Sequence, residues 1–232
     1  RDSRRAAAKA LAAGKPIIVV KVGQSEAGQR AALSHTAALA GADGAYRAMF
    51  AHYGLIPAET PSQAVDLAAG FAFMGDFSPT GTATAIFTAS GGAGGWMADS
   101  AAAAGLSVPV LDAATRAAID QHLPSYGASD TPVDATAQAI HHLGYAGLID
   151  LLRDAPGIDS IIAVASARLP GRIEQDRPAL QRVRAATSKP VFFWSYTLPH
   201  PSAVEVLTSC GFPLFTDPLN CACLLYTSPS PR

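Results

Sequence analysis

The residue best suited to chemistry is His35. It stands in Gly23-Gln24-Ser25-Glu26-Ala27-Gly28-Gln29-Arg30-Ala31-Ala32-Leu33-Ser34-His35-Thr36-Ala37-Ala38-Leu39-Ala40-Gly41, a run of mostly small side chains. An imidazole can act as a nucleophile near neutral pH without a metal. Its neighbours Ser34 and Thr36 leave room for a phosphate or another backbone to come close. A hydrogen-bonded surface or core histidine fits the same residues, so the pattern alone leaves both readings open.

A second candidate is Ser90-Gly91-Gly92-Ala93-Gly94-Gly95, between an apolar run and a helical one. Glycines permit a tight turn, and the free N–H groups of a helix start attract phosphate. A glycine turn serving only strand-to-helix packing fits as well. No Gly-Lys-Ser/Thr follows, and the spacing is not that of a dinucleotide fingerprint. In Asp130-Thr131-Pro132-Val133-Asp134-Ala135-Thr136, Asp130 or Thr131 is placed to cap a following helix. Arg168-Leu169-Pro170-Gly171-Arg172 offers two guanidiniums to an anion, or is a solvated turn. His141 and His142 are adjacent on a predicted helix and diverge, so they make a poor metal pair. Cys221-Ala222-Cys223 has no ligand pattern around it, and no metal site is expected.

Short β-branched runs alternate with alanine-rich helical stretches, which predicts an α/β fold with mainly parallel sheets. The first strand is expected over 16–22, too apolar for a half-exposed edge. A loop follows over 23–30, then a helical stretch over 31–53 that stops at Gly54. Thr60-Pro61 opens another helix. The turn-rich stretch 77–81 marks a boundary between a module over 1–76 and one over 77–222. In the second module the strands are expected at 82–87, 161–164, 191–194 and 212–215. Each feeds a helix, as in a flavodoxin-like sheet.

The chain is 49% apolar and 15% charged, with a formal net charge of −1. It has ample material for buried cores and no basic block to attract nucleic acid or an anionic membrane. No apolar run approaches the ~20 residues of a membrane span. Three cysteines without framework spacing point to free thiols and a cytoplasmic location. Both ends look cut. Arg1-Asp2-Ser3-Arg4-Arg5 reads as the last turns of a helix begun earlier. Residues 223–232 match the translation of a common sequencing-library transposon adaptor, so the native sequence is expected to stop near Ala222. With no periodic apolar face, that tail is expected to be irrelevant to folding.

Taken together, these segments resemble the NDP-forming acyl-CoA synthetases, relatives of succinyl-CoA synthetase that include the ADP-forming acetate–CoA ligases. Residues 15–28 followed by 34–41 are similar to the family's histidine motif. Thr88-Ala89-Ser90-Gly91-Gly92-Ala93-Gly94 resembles its Thr-Asn-Ala-Gly-Gly turn, and Asp130-Thr131-Pro132-Val133-Asp134 its Asn-Pro-Val-Asp turn. The likeness runs from the first residue to about residue 220. It departs at Ala37, where the family usually has Gly, and at Ala89-Ser90, which replace Asn-Ala.

The resemblance implies two flavodoxin-like CoA-ligase modules, truncated at both ends. It implies conversion of acyl-CoA, phosphate and NDP to acid, CoA and NTP, or the reverse. His35 would be the phosphohistidine nucleophile, Ser34 and Thr36 its loop support, and Ser90, Gly91, Gly92, Ala93, Gly94 and Gly95 the donors that stabilise the phosphoryl group. The implied cofactors are CoA and ATP or ADP with Mg. The implied partners are an N-terminal CoA-binding domain and an ATP-grasp domain or subunit, so this chain alone is expected to be inactive. A protein lysine acetyltransferase scaffold and a non-catalytic CoA-ligase-like module are the alternatives. Relatives of the former kind tend to lose the histidine that this chain keeps.

Overall fold

The computed structural model describes residues 2–36, 43–74 and 79–227, with the backbone alone at 2–4, 11, 35, 36, 43, 226 and 227. It divides into two compact units, 1–68 and 69–232. The division falls inside a helix, ahead of the turn-rich stretch that marks a boundary in the sequence.

The first unit contains α1 (Asp2–Ala12), β1 (Ile18–Val20), α2 (Glu26–Thr36), α3 (Asp43–Tyr53), β2 (Ile56–Ala58) and the start of α4 (Pro61–Met74). β1 and β2 are parallel, with Ile18 opposite Ile56 and Val20 opposite Ala58. β1 is shorter than expected and half-buried at all three residues, because among the described residues it pairs with β2 alone. The helix expected from residue 31 begins at Glu26. Ser25 starts it by accepting the Gly28 N–H at 3.1 Å, and Glu26 suits the positive end of the helix dipole. The connection is tight: Gly23 has φ +80°, and a Cβ on Gly28 would stand 3.2 Å from the Gly23 Cα. Thr60 caps α4 as expected, accepting the Gln63 N–H at 3.1 Å.

The second unit follows α4 with β3 (Thr84–Thr88), α5 (Gly91–Ala103), α6 (Ala113–Asp120), β4 (Val133–Asp134) and α7 (Thr136–Arg153). Then come β5 (Ser160–Ala165), α8 (Gly171–Ala186), β6 (Val191–Ser195), α9 (Pro201–Ser209), β7 (Leu214–Phe215) and α10 (Pro218–Thr227). The five strands are all parallel in the order β4-β3-β5-β6-β7. Counted within the unit this is the flavodoxin order 2-1-3-4-5. Every residue of β3, β5 and β6 is buried, as strands covered on both faces require. Phe193 carries the core on one face, with its ring 5.7 Å from Tyr145 and 5.5 Å from Phe212. Burial pushes the Tyr145 phenol up to about 12.

α7 breaks at Gly144, whose φ of 71° is open to glycine at little cost. Asp176 of α8 restarts it, taking the Ala146 N–H at 2.9 Å. At the far end, residues 223–227 do not hang free. α10 runs through them and packs on α5, burying Leu224 and Leu225. The expectation that this tail has no apolar face to bury is therefore overturned. Two adjacent leucines suffice when both fit between elements already in place, without the periodicity a longer helix would show.

Candidate functional site

The order of strands creates a switch point between β3 and β5, outside whose carboxyl ends α/β ligands usually bind. Thr88 pairs with Val164, so the chain leaving β3 at Ala89-Ser90 and that leaving β5 at Ser166-Ala167 emerge side by side. The first turn of α5 starts there. Gly91 to Gly95 belong to the helix itself rather than to a loop before it, with Ser90 in the extended N-cap position. The Ser90 N–H donates to the buried Thr88 hydroxyl at 2.9 Å, and that hydroxyl donates back to the Ser90 carbonyl at 3.0 Å. The exchange fixes the turn while the Ser90 side chain makes no capping bond to α5. A Cβ on Gly92 or Gly95 would meet nothing within 4 Å, whereas Gly94 lies against Thr88 and Pro132. Two glycines thus leave the start of α5 bare, and one is needed for packing.

Asp134 reaches this turn. Its strand pairs with β3 so that Asp134 stands opposite Thr88, and the Ala135 N–H donates to the Thr88 carbonyl at 2.9 Å. Carboxylate Oδ1 accepts the Thr136 N–H at 3.1 Å. Oδ2 faces Gly91, 3.0 Å from where a Cβ would be. Thr136 takes φ 58°, an uncommon conformation for a β-branched residue. Neither Asp130 nor Thr131 caps α7, contrary to expectation. Asp130 pairs with Arg116 at 3.2 Å, and Asp134 takes the first amide of the helix. The Asp-x-Thr spacing is the sequence signal for Asp134, but the two-residue strand that aims it at Gly91 is too short to show in the sequence.

The arginine pair separates. Arg168 is exposed after β5, while Arg172 lies on α8 with its guanidinium 4.0 Å from Asp176. The His141 and His142 rings meet edge to face at 5.9 Å. Among the described residues no group of three or more His, Cys, Asp or Glu could hold a metal ion. The three cysteines are free thiols. No described helix is long and apolar enough to cross a membrane.

In the first unit, His35 lies in the last turn of α2, the helix that follows β1. Its side chain, that of Thr36 and residues 37–42 lie outside the described residues. Ser34 turns inward on its own helix, its hydroxyl donating to the Ala31 carbonyl at 2.7 Å.

Residues 1–71 match a family model described as a succinyl-CoA ligase like flavodoxin domain. Over 97% of its length the chain is 32% identical to the alpha subunit of acetate–CoA ligase [ADP-forming] II of Pyrococcus furiosus, covering 50% of that protein. Over 60% of its length it is 38% identical to the alpha subunit of isoform I from the same organism, covering 30%. Its sequence kin are thus ADP-forming acetate–CoA ligases, matched in part through a succinyl-CoA-ligase-like flavodoxin domain. The chain spans half or less of the length of these curated relatives. The fold agrees. The dinucleotide-forming acetyl-coenzyme A synthetase 1 of Ca. Korarchaeum cryptofilum, solved with phosphate and ADP, superposes with a TM-score of 0.78 at 22% identity over 97% of this chain and 48% of that one. The isoform II and K. cryptofilum matches each extend over 97% of the chain, and so over both compact units.

Proposed function

We propose that this chain is the phosphoryl-relay portion of an enzyme that interconverts acyl-CoA, phosphate and NDP with carboxylic acid, CoA and NTP. The observation that carries the reading is that the flavodoxin-domain match over 1–71 contains His35 within its small-residue run. Phosphate displaces CoA from the acyl group to give an acyl phosphate. A ring nitrogen of His35 then takes the phosphoryl group and frees the carboxylate. Transfer from the histidine to NDP completes the cycle.

The bonding of the Ser34 hydroxyl within α2 supports a shaping role for it, and Thr36 is assigned the same. The bare first turn of α5 offers N–H groups at Gly91, Gly92 and Ala93 to a phosphoryl anion, with Ser90, Gly94 and Gly95 shaping the turn. CoA and the Mg-bound nucleotide are assigned to an N-terminal CoA-binding domain and an ATP-grasp domain or subunit, as the family resemblance implies. The enzyme is placed in the cytoplasm.

The test is acyl-CoA-dependent NTP synthesis. Joined to both domains, the chain should make NTP with one CoA released per NTP, and His35→Ala should abolish it. The chain alone should make none, because the reacting groups must be positioned together. Sustained NTP formation by the purified chain, or by the joined His35→Ala enzyme, would refute the reading.

A further inference from the structure

Beyond its first turn, α5 presents an aromatic and acidic face to solvent. Trp96 is 57% exposed, yet its ring is held, meeting the fully buried Trp194 edge to face at 5.3 Å. Trp194 is itself fixed by donating its indole N–H to the Thr216 carbonyl at 3.3 Å. The contact sets the orientation of the Trp96 ring and leaves much of its surface open. Asp99, three residues on, is exposed and makes no hydrogen bond or ion pair among the described residues. Side chains at this spacing are neighbours on a helix and lean toward its start, which brings the carboxylate beside the indole. On the other side of Trp96 stand Gly92 and Gly95, both exposed and with open space where a Cβ would be. The backbone of another protein can lie flat there.

We propose that this face docks a protein segment that presents an arginine among small residues. The guanidinium lies over the Trp96 ring and pairs with Asp99, while the flanking backbone runs along Gly92 and Gly95. Charge and shape select this occupant. The indole face and the carboxylate both attract a cation, and a planar guanidinium can stack on the one while it forks to the other. A lysine ammonium is a more strongly hydrated point charge and has no plane to stack. A free cation would leave the glycine floor unused. The chain spans half or less of the length of its curated relatives, which leaves protein outside it to supply the segment. Neither Trp96 nor Asp99 takes part in the relay proposed for His35, which stands whether or not this face docks anything.

The test is an NMR titration of the 232-residue chain with the peptide acetyl-Ala-Gly-Arg-Gly-Ala-amide, its citrulline and lysine analogues, and N-ethylguanidinium. The chain has two tryptophans and Trp194 is fully buried, so the Trp96 indole signal reports on this face. The arginine peptide should shift the Trp96 indole and the Gly95 amide at millimolar concentration. The uncharged citrulline peptide should bind about fivefold more weakly, and the lysine peptide more weakly too. Asp99→Asn, an exposed change that leaves the indole in place, should weaken the arginine peptide about two- to fivefold. Trp96→Leu, read at the Gly95 amide, should weaken it by about as much, and Asp99→Asn decides the matter if that variant does not fold. Citrulline or lysine peptides that bind as tightly overturn the proposal. N-ethylguanidinium binding as tightly as the peptide would make this a site for a free cation and overturns it as well. So do the absence of any shift, an affinity unchanged by Asp99→Asn, and Trp96 shifts that grow with protein concentration alone, the mark of a second copy on this face.

Discussion

The carboxylate of Asp134 stands over Gly91, its Oδ2 3.0 Å from the point where a Cβ on residue 91 would lie. An added methyl there must push aside a side chain anchored through its other oxygen to the Thr136 amide. Gly95, one turn on, has open space at the same point. Gly95→Ala should therefore stabilise the chain by about 0.5–1 kcal/mol, the usual gain of alanine over glycine in a helix. Gly91→Ala should show no such gain. Urea unfolding of the two variants checks this, and equal stabilisation would contradict the described position of Asp134.

The same carboxylate is a negative charge beside a turn assigned to an anion. Asp134→Asn keeps an oxygen for the Thr136 amide and removes the charge. Inorganic phosphate should then perturb the amide signals of Gly91 to Ala93 at about fivefold lower concentration, the effect of ~1 kcal/mol between unit charges ~4 Å apart in water. If phosphate moves none of these signals in either protein, the anion role of α5 fails. If it moves them equally in both, only the influence of Asp134 fails.

Asp176 and Gly144 depend on each other. A Cβ on residue 144 would collide with the Asp176 carboxylate, and φ is positive there, so Gly144→Ala should cost several kcal/mol. Burial, partly offset by the Ala146 amide and Arg172, raises the Asp176 pKa above the ordinary carboxylate value. The folded chain thus holds this proton more tightly than the unfolded one. The group's favourable contribution is complete below its unfolded pKa and is lost as pH rises through the folded value. Asp176→Asn should remove that part of the slope when urea midpoints are compared from pH 3 upward. An unchanged slope would show that Asp176 titrates as it does in the unfolded chain.

Deleting residues 223–232 should lower the thermal midpoint by several degrees or more. Leu224 and Leu225 are buried, and Leu224 packs onto the bare backbone of Gly70. Each buried leucine contributes about 1.5–3 kcal/mol. A midpoint unchanged within about a degree would mean that α10 contributes nothing to the fold beyond Ala222.

Much of this was legible in the residues. Runs rich in β-branched and aromatic residues mark β3, β5 and β6, because strands buried on both faces favour such side chains. An aspartate ahead of an alanine-rich run is a helix-start signal, and Asp112 accepts the amides of Ala114 and Thr115 at the start of α6. β4 is not legible because two residues, Val133 and Asp134, are too few for alternation to show. The helical state of Gly91 to Gly95 was hidden by composition, since glycine reads as loop wherever tertiary packing does not hold it. The start of α2 is obscured in the sequence for a related reason. Its first turn, Glu26 to Gln29, is polar and contains a glycine, and only the Ser25 cap marks its start. The histidine motif was legible because it depends on residue identity rather than on local structure.

The most direct test of the account is the fate of a phosphoryl label on His35. The chain joined to the proposed CoA-binding and ATP-grasp domains is incubated with γ-labelled ATP and quenched, and the protein-bound label is followed in acid and alkali. A phosphohistidine is a phosphoramidate, so the label should survive alkali and be lost in mild acid. Peptide mapping should place it in the α2 segment, and His35→Ala should abolish both label and turnover. Ser34→Ala should retain them. An acid-labile label at an unchanged level in the His35→Ala enzyme, with turnover near normal, would contradict the account.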